Sequence, residues 1–151
     1  MRLFEVKLQN IVNDFKQSHQ DSIKYGCKRD NCGIPAADFY YFCKKYNIDC
    51  PRIFGYFKVD RLKLSKKDFH IGELNLAKSK GYDINSNDDL KQFAEEIGII
   101  DELYYIPHYW NVYQNKILDF TAYDQFVKTG LANDAKPNRY YSDIGELFNQ
   151  E

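Results

Sequence analysis

The stretch Tyr105-Ile-Pro-His-Tyr-Trp-Asn-Val-Tyr-Gln-Asn-Lys-Ile-Leu-Asp-Phe-Thr-Ala122 is the part of the sequence from which most of the fold follows. Residues 109–113 and 116–120 are rich in aromatic and β-branched side chains, which favour strands. Gln114-Asn115 between them suits a two-residue turn. The sequence therefore predicts a β-hairpin in which Tyr113 faces Lys116.

This register places a histidine and an aspartate on the same face of the hairpin. Position 110 lies opposite 119, and 108 lies opposite 121. Because side chains alternate between the two faces of a strand, four residues share one face: His108, Trp110, Asp119 and Thr121. His108 and Asp119 are then diagonal neighbours, about 7–8 Å apart at the backbone. An aspartate that orients a histidine is two thirds of a nucleophile-activating triad.

The overall composition predicts one folded domain over residues 1–151. Apolar residues make up 44% of the 151 residues and aromatic residues 17%, which argues against disorder. The formal net charge is −1, without a long run of one sign, so neither nucleic acid nor an anionic membrane is expected as a partner. The four cysteines lack the paired spacing of common zinc sites, and we expect no metal and no cofactor.

The sequence also gives an expectation about location. Its apolar runs are too short to cross a bilayer, and the charged, amphipathic amino terminus differs from a signal peptide. We therefore expect a cytoplasmic protein, or one that is delivered into a host cell without a cleavable signal peptide.

The order of the predicted elements favours an α+β fold, with amino-terminal helices packed on a small antiparallel sheet. Helices are expected at 2–18, 32–46 and 87–97, with Asn87 as the N-cap of the third helix. Residues 20–31 are predicted to be irregular, and 52–59 to form a strand. Residues 60–87 are predicted to form an insertion with one short helix at 71–80, bordering a substrate groove. An edge strand is expected at 139–141.

Cys32 is the best-placed nucleophile, because it lies at the amino end of the second predicted helix. Unpaired backbone N–H groups and the helix dipole favour a thiolate there. Cys27 is the alternative, but it lies in a predicted loop without a helix end behind it. Cys43 and Cys50 are expected to be structural.

Three further residues fit a site built from Cys32, His108 and Asp119. Trp110 can cover the site from bulk water, and Thr121 can hold Asp119 in place. Asn31, one residue before Cys32, can either donate to an oxyanion or act as the N-cap of the helix.

A resemblance to a known superfamily rests on the order of these motifs. Cys32 at a helix start, then His108-Tyr-Trp, then Ile117-Leu-Asp-Phe-Thr-Ala122 with Gln125-Phe126, resembles the papain-like and transglutaminase-like cysteine hydrolases. The resemblance covers roughly residues 31–126. It departs from papain-type proteases because no aromatic residue follows Cys32 directly and no upstream glutamine is placed for an oxyanion hole.

The resemblance implies a papain-like or transglutaminase-like core, in which Cys32 is the nucleophile, His108 the general base and Asp119 the residue that orients the base. Small members of this superfamily include bacterial effector glutamine deamidases and phage-encoded relatives. The expected substrate is a protein or peptide with a glutamine or another amide group, which includes proteins of a host.

Two classes of function remain open. The first is an enzyme that attacks amide carbonyls as a glutamine deamidase, a transglutaminase or a protease. The second is a non-catalytic phage or effector protein that binds a host protein through its aromatic surface. In the second case Cys32 has no chemical role.

Overall fold

The predicted hairpin is present and has the predicted register. Its strands are β2 (Tyr105–Tyr113) and β3 (Lys116–Leu118), and the two strands pair Tyr113 with Lys116. Gln114 and Asn115 both have positive φ, 48° and 63°, as a type I′ turn requires. The turn chemistry and the alternation of side chains thus agree, and together they fix which residues face the core.

Strand β3 ends two residues earlier than predicted, at Leu118. Asp119 and Thr121 therefore follow the strand, and position 121 does not pair with 108 in the ladder. The reason is local: the Asp119 side chain accepts hydrogen bonds from the backbone N–H groups of Thr121 and Ala122, and this turns the chain away from β2.

The hairpin belongs to a four-stranded antiparallel sheet within the described part of the chain. Strand β1 (Arg52–Lys58) pairs with β2 along its whole length and places Gly55 opposite His108. The edge strand β4 (Tyr140–Tyr141) pairs with β1, so that the order is β3-β2-β1-β4. These assignments confirm the strand predicted at 52–59 and the edge strand predicted at 139–141.

Gly55 allows two other parts of the chain to approach β1 closely. A Cβ at this position would lie 2.1 Å from the carbonyl oxygen of Tyr141 and 2.5 Å from the Trp110 ring. No side chain fits at such distances, so glycine is required where β4 and Trp110 meet β1.

The computed structural model describes residues 3–28 and 31–142, with side chains from residue 7 onward. The α-helices in these ranges are α1 (Leu3–Ser18), α2 (Gln20–Gly26), α3 (Gly33–Lys44), α4 (Ile71–Ser79) and α5 (Asn87–Glu96). A short π-helix follows the hairpin (Tyr123–Val127), and single 3₁₀ turns occur at Lys66–Asp68, Glu102–Tyr104 and Pro137–Arg139. The chain is thus an α+β protein, as predicted. No described helix has both the length and the apolar character needed to cross a bilayer.

The amino-terminal helices pack on the hairpin through aromatic side chains. Phe15 of α1 and Phe39 of α3 are fully buried, and their ring centroids lie 5.0 Å apart. Phe120, just after β3, lies 5.0 Å from Phe15 and 4.9 Å from Phe39. Between α3 and the sheet, the buried amide of Asn111 donates to the carbonyl oxygens of Ala36 and Cys50 at 2.8 and 3.1 Å. These contacts fix the start of α3 against β2.

Two predictions about helices were wrong. Residues 20–26 are helical rather than irregular, because Ile23 packs on the apolar cluster of α1 and α3 and the Ser22 hydroxyl donates to Asp38 at 2.6 Å. The N-cap of α5 is Ser86, whose hydroxyl accepts from the Asp89 N–H at 3.3 Å. Asn87 lies inside the helix, and its side chain instead accepts from the backbone N–H of Leu64.

The insertion between β1 and β2 carries the predicted short helix, α4. Its apolar residues join those of α5 and of the sheet in a second cluster, which includes Phe69, Ala77, Leu90 and Phe93. Residues 61–64, at the start of the insertion, lie along a pocket beside Cys32.

Candidate active site

The two residues predicted to pair across the hairpin do so. His108 Nε2 and Asp119 Oδ2 are 2.7 Å apart, and His108 is completely buried. His108 lies in the middle of β2, where its side chain points to the core face. Asp119 reaches it from the first residue after β3, so the early end of that strand does not separate them.

Both oxygens of the Asp119 carboxylate are fixed by hydrogen bonds. Oδ1 accepts from the backbone N–H of Thr121 at 3.0 Å and of Ala122 at 3.1 Å, and from the Thr121 hydroxyl at 3.3 Å. Oδ2 accepts from the Tyr140 hydroxyl at 2.8 Å, in addition to its contact with His108. The predicted support from Thr121 is therefore present, and this carboxylate has a single orientation.

The charges of this buried pair stabilise each other. Burial opposes protonation of His108, but the negative charge of Asp119, the hydrogen bond to it and the neighbouring Cys32 outweigh burial and raise the pKa of His108 to about 9. Burial likewise opposes ionisation of Asp119, but His108 and the surrounding donors outweigh it and lower the pKa of that carboxyl. The pair is thus an imidazolium and a carboxylate at neutral pH.

Cys32 lies beside this pair. It is the N-cap residue of α3 and is only 5% exposed. Its sulfur accepts a hydrogen bond from the backbone N–H of Tyr109 at 3.4 Å, and its side chain interacts with the ring of His108. The other ring nitrogen, His108 Nδ1, is buried and forms no hydrogen bond of standard length and angle with any described residue. It is therefore available to exchange a proton with the thiol.

Cys27 is a poor alternative nucleophile. Burial and the nearby carboxylate of Asp124, to which the thiol donates at 3.4 Å, raise the pKa of Cys27 to about 12. This thiol therefore stays protonated at neutral pH. Cys43 and Cys50 are completely buried in the apolar cluster of the amino-terminal helices.

Aromatic rings enclose the imidazole. Trp110 is almost completely buried, and its ring lies 6.1 Å from that of His108 with 27° between the planes. Phe126 meets the imidazole edge-on at 5.1 Å, and Tyr140 meets Trp110 at 5.0 Å. These rings exclude water from the His108–Asp119 pair and thereby strengthen its electrostatic interactions.

Of the two roles predicted for Asn31, the N-cap role was wrong, and the role of oxyanion donor stays a prediction. The N-cap of α3 is Cys32, so Asn31 lies one residue before the cap. Its backbone carbonyl accepts from the N–H of Ile34 at 3.1 Å. The helix starts one residue later than predicted, and Cys32 lies at its amino end, as predicted.

A pocket of about 320 Å³ opens beside Cys32. Four segments form its wall: Cys27 and Cys32 at the ends of α2 and α3, the first part of the insertion with the residue before it, the 3₁₀ turn and first residues of β2, and the π-helix with the residues that follow it. Residues on these segments include Val59, Leu62, Leu64, Leu103, Ile106, Phe126 and Leu131. Cys32 is the only member of the Cys32–His108–Asp119 set that lines this pocket.

Sequence reasoning missed Tyr140 and Asn111. Tyr140 was placed on an edge strand, but the face to which its side chain points depends on the pairing of β4 with β1, which no local pattern specifies. The polar side chain of Asn111 in the middle of an apolar strand was the only signal of a buried hydrogen-bonding role.

No three His, Cys, Asp or Glu side chains converge as metal ligands in the part of the chain that the structure describes. Comparisons with protein-family models, with curated proteins and with solved structures find no match to this chain. The geometry of Cys32, His108, Asp119 and Tyr140 is therefore the basis for inferring a function.

Proposed function

We propose that this chain is a thiol-dependent enzyme that attacks amide carbonyls, with Cys32 as nucleophile, His108 as general base and Asp119 as the residue that orients the base. The observation that carries the proposal is the buried imidazole of His108, which is bonded to Asp119 at 2.7 Å and interacts with Cys32. A nucleophile, a base within its reach and a group that orients the base are what covalent catalysis needs.

The same arrangement supports membership of the papain-like and transglutaminase-like superfamily as part of the proposal. The three residues occur in the order Cys, His, Asp along the chain, with the cysteine at the start of a helix. The histidine lies on a strand of an antiparallel sheet, and the aspartate is the first residue after the next strand, β3. Tyr140 is an addition to this pattern, since it bonds the same oxygen of Asp119 that faces His108.

In the resting state of the proposed reaction, His108 Nδ1 has already taken the proton of the Cys32 thiol, so the attacking group is a thiolate beside the imidazolium. The raised pKa of His108, about 9, favours this imidazolium at neutral pH. The thiolate sulfur forms a bond to the amide carbon, and the carbonyl electron pair moves to oxygen. The first backbone N–H groups of a helix have no partner within the helix, so those of Cys32 and Gly33 at the start of α3 can donate to this oxyanion. Nδ1–H then protonates the nitrogen, the C–N bond breaks, and a thioester remains.

In the second half, the acceptor determines the product. Water gives a proton to Nδ1 while its oxygen attacks the thioester carbon, and cleavage of the C–S bond releases a carboxylic acid and restores the thiolate. A primary amine in place of water gives a new amide. At a glutamine side chain, water therefore causes deamidation and an amine causes acyl transfer. At a backbone amide, the reaction with water cleaves the peptide chain. We propose a protein or peptide as the substrate, with host proteins among the candidates.

A second candidate function rests on the outer face of the sheet. Phe54 and Tyr56 of β1 are 52% and 45% exposed, and the Phe54 ring lies 4.8 Å from that of Tyr109. Exposed aromatic clusters of this kind are typical of protein-binding surfaces. In this alternative the chain is a non-catalytic phage or effector protein that binds a host protein through these rings.

Mass spectrometry of treated protein extracts distinguishes the two functions. Bacterial and eukaryotic extracts would be incubated with the wild type, with Cys32→Ala and with Cys27→Ala, each with and without a fluorescent primary amine. We expect deamidated, amine-labelled or cleaved peptides with the wild type and Cys27→Ala, and none with Cys32→Ala. Identical spectra for all three proteins, together with an extract protein that is retained by the immobilised wild type but not by Phe54→Ser, would favour the binding function.

A further inference from the structure

We infer that the substrate carries an apolar group on the attacked carbonyl, and that this group occupies the pocket beside Cys32. The inference rests on the proposed function, since it assigns the acyl side of the substrate of the same site. Beyond the proposed function, it predicts that substrates with a small polar acyl group are not preferred.

The pocket is placed to receive the acyl half of the substrate. Cys32, which would form the bond to the carbonyl carbon, lines the pocket. His108, which would protonate the departing nitrogen, is fully buried and does not line it. The leaving group must approach the imidazole, so the group that remains bonded to Cys32 is the one that faces the pocket.

Most of the polar side chains around the pocket already bond to other parts of the chain, and Lys63 is exposed to solvent. The amide of Gln125 donates to the carbonyl oxygens of Gly26 and Lys28 at 2.7 and 3.2 Å. The Arg61 guanidinium donates to Gly130 and Asn133 at 3.1 and 3.0 Å. Other lining groups are held in the same way: the Thr129 hydroxyl donates to the carbonyl of Gln125, Asp124 accepts from Cys27, and Asp68 accepts from the N–H of Ser65.

A ligand in the pocket therefore meets mainly apolar atoms. Leu62 and Leu64 come from the insertion, Leu103 from the 3₁₀ turn before β2, Ile106 from β2 itself, and Phe126 and Leu131 from the segment after the hairpin. A polar acyl group would lose its water there and gain few hydrogen bonds in return, whereas an apolar group gains from burial. The pocket volume is about 320 Å³. A group the size of a water molecule or a methylene occupies ~30 Å³, so the pocket holds about ten such groups.

Two sources supply an acyl group of this chemistry: a hydrophobic amino-acid residue of a peptide, and a medium-length aliphatic chain. Both kinds of acyl group present an apolar surface to the pocket. Two sets of activated esters, one aliphatic and one derived from amino acids, show which kind the pocket prefers. One set would be the p-nitrophenyl esters of acetate, butyrate and octanoate, used below their micellar concentrations. The other would be the p-nitrophenyl esters of N-acetyl-glycine and N-acetyl-leucine.

The expected result is a rise in kcat/KM with apolar size. Each added CH₂ should raise kcat/KM by about fourfold until the pocket is filled, which corresponds to about 0.8 kcal/mol per methylene. A rise from acetate to octanoate indicates an aliphatic source, and a rise from the glycine to the leucine ester alone indicates a peptide source. Either result supports the inference.

A narrowed pocket provides the matched control. Leu103→Trp, in the pocket wall, should abolish the preference for the larger esters while acetate is still hydrolysed. Leu74→Trp places the same ring on another half-buried leucine of the same cluster that does not line the pocket, and the preference should survive. Leu131→Phe is a second narrowing variant if Leu103→Trp fails to fold, as judged by circular dichroism.

The outcomes separate this inference from the proposed function. If the wild type hydrolyses the esters faster than Cys32→Ala but without regard to apolar size, the inference is wrong and the proposed function stands. The inference is equally wrong if Leu74→Trp changes the preference as much as Leu103→Trp does. If the wild type and Cys32→Ala hydrolyse every ester at the same rate, the proposed function itself fails.

Discussion

Replacing Asp119 with asparagine tests the electrostatics of the site. The substitution keeps the size of the side chain and an oxygen that can face His108, but it removes the negative charge. In the wild type, burial opposes the protonation of His108, and the Asp119 charge is the largest of the effects that outweigh burial and raise the pKa of His108 to about 9. Without that charge burial dominates, and we expect the pKa of His108 to fall to 6.5 or below.

The size of the effect follows from this difference in pKa. A fall from about 9 to 6.5 is equivalent to about 3 kcal/mol in favour of the neutral imidazole. At about pH 7.5 the imidazolium then falls from nearly all molecules to about one in ten. Replacement of the orienting aspartate by asparagine reduces kcat on the order of 10⁴-fold in a comparable triad. Wild-type activity should fall as pH rises through about 9, because His108 then has no proton for the leaving group.

The assay is an NMR titration of the chain with ¹³C-labelled histidine. The sequence contains three histidines, and the variants His19→Gln and His70→Gln would assign the ring signals. A His108 signal that titrates at or below 6.5 in the wild type would refute this account. The same conclusion would follow if Asp119→Asn left the titration of His108 unchanged.

Three further substitutions have defined outcomes. Tyr140→Phe removes the 2.8 Å hydrogen bond to Asp119, and we expect kcat to fall about tenfold with little change in KM; unchanged kcat would mean that this bond has no role in positioning. Gly55→Ala places a methyl group against the carbonyl oxygen of Tyr141 and should lower the free energy of unfolding in urea by about 1–3 kcal/mol; wild-type stability would contradict the observed packing. Cys27→Ser should leave activity unchanged, because the pKa of the Cys27 thiol is about 12, whereas loss of activity would make Cys27 a rival nucleophile.

The central hairpin was predictable because two local rules agree there. Gln114-Asn115 suits a type I′ turn, and a two-residue turn fixes the pairing of Tyr113 with Lys116. Once the register is fixed, the parity of side chains places His108 on the core face. The sequence alone therefore predicted the contact between His108 and Asp119, although β3 proved to be shorter than expected.

Other features depend on contacts between distant segments. Helix α2 was not predicted, because its seven residues are too few to be stable alone and it relies on packing with α3. The hydrogen bond from Tyr140 to Asp119 requires β4 to pair with β1 in one register. The pocket beside Cys32 requires four separate segments to meet, and only residues 60–87 were predicted to border a substrate groove.

The central claim is that His108 activates Cys32 as a nucleophile, and the most direct measurement is the rate of alkylation of Cys32 by iodoacetamide as a function of pH. Peptide mapping by mass spectrometry would follow each cysteine in the wild type and in His108→Ala. We predict that Cys32 reacts before Cys27 and that His108→Ala slows the alkylation of Cys32 at least about tenfold at neutral pH. A rate that rises only near the value of a free thiol, about 8.5, and that is the same in His108→Ala would contradict the claim.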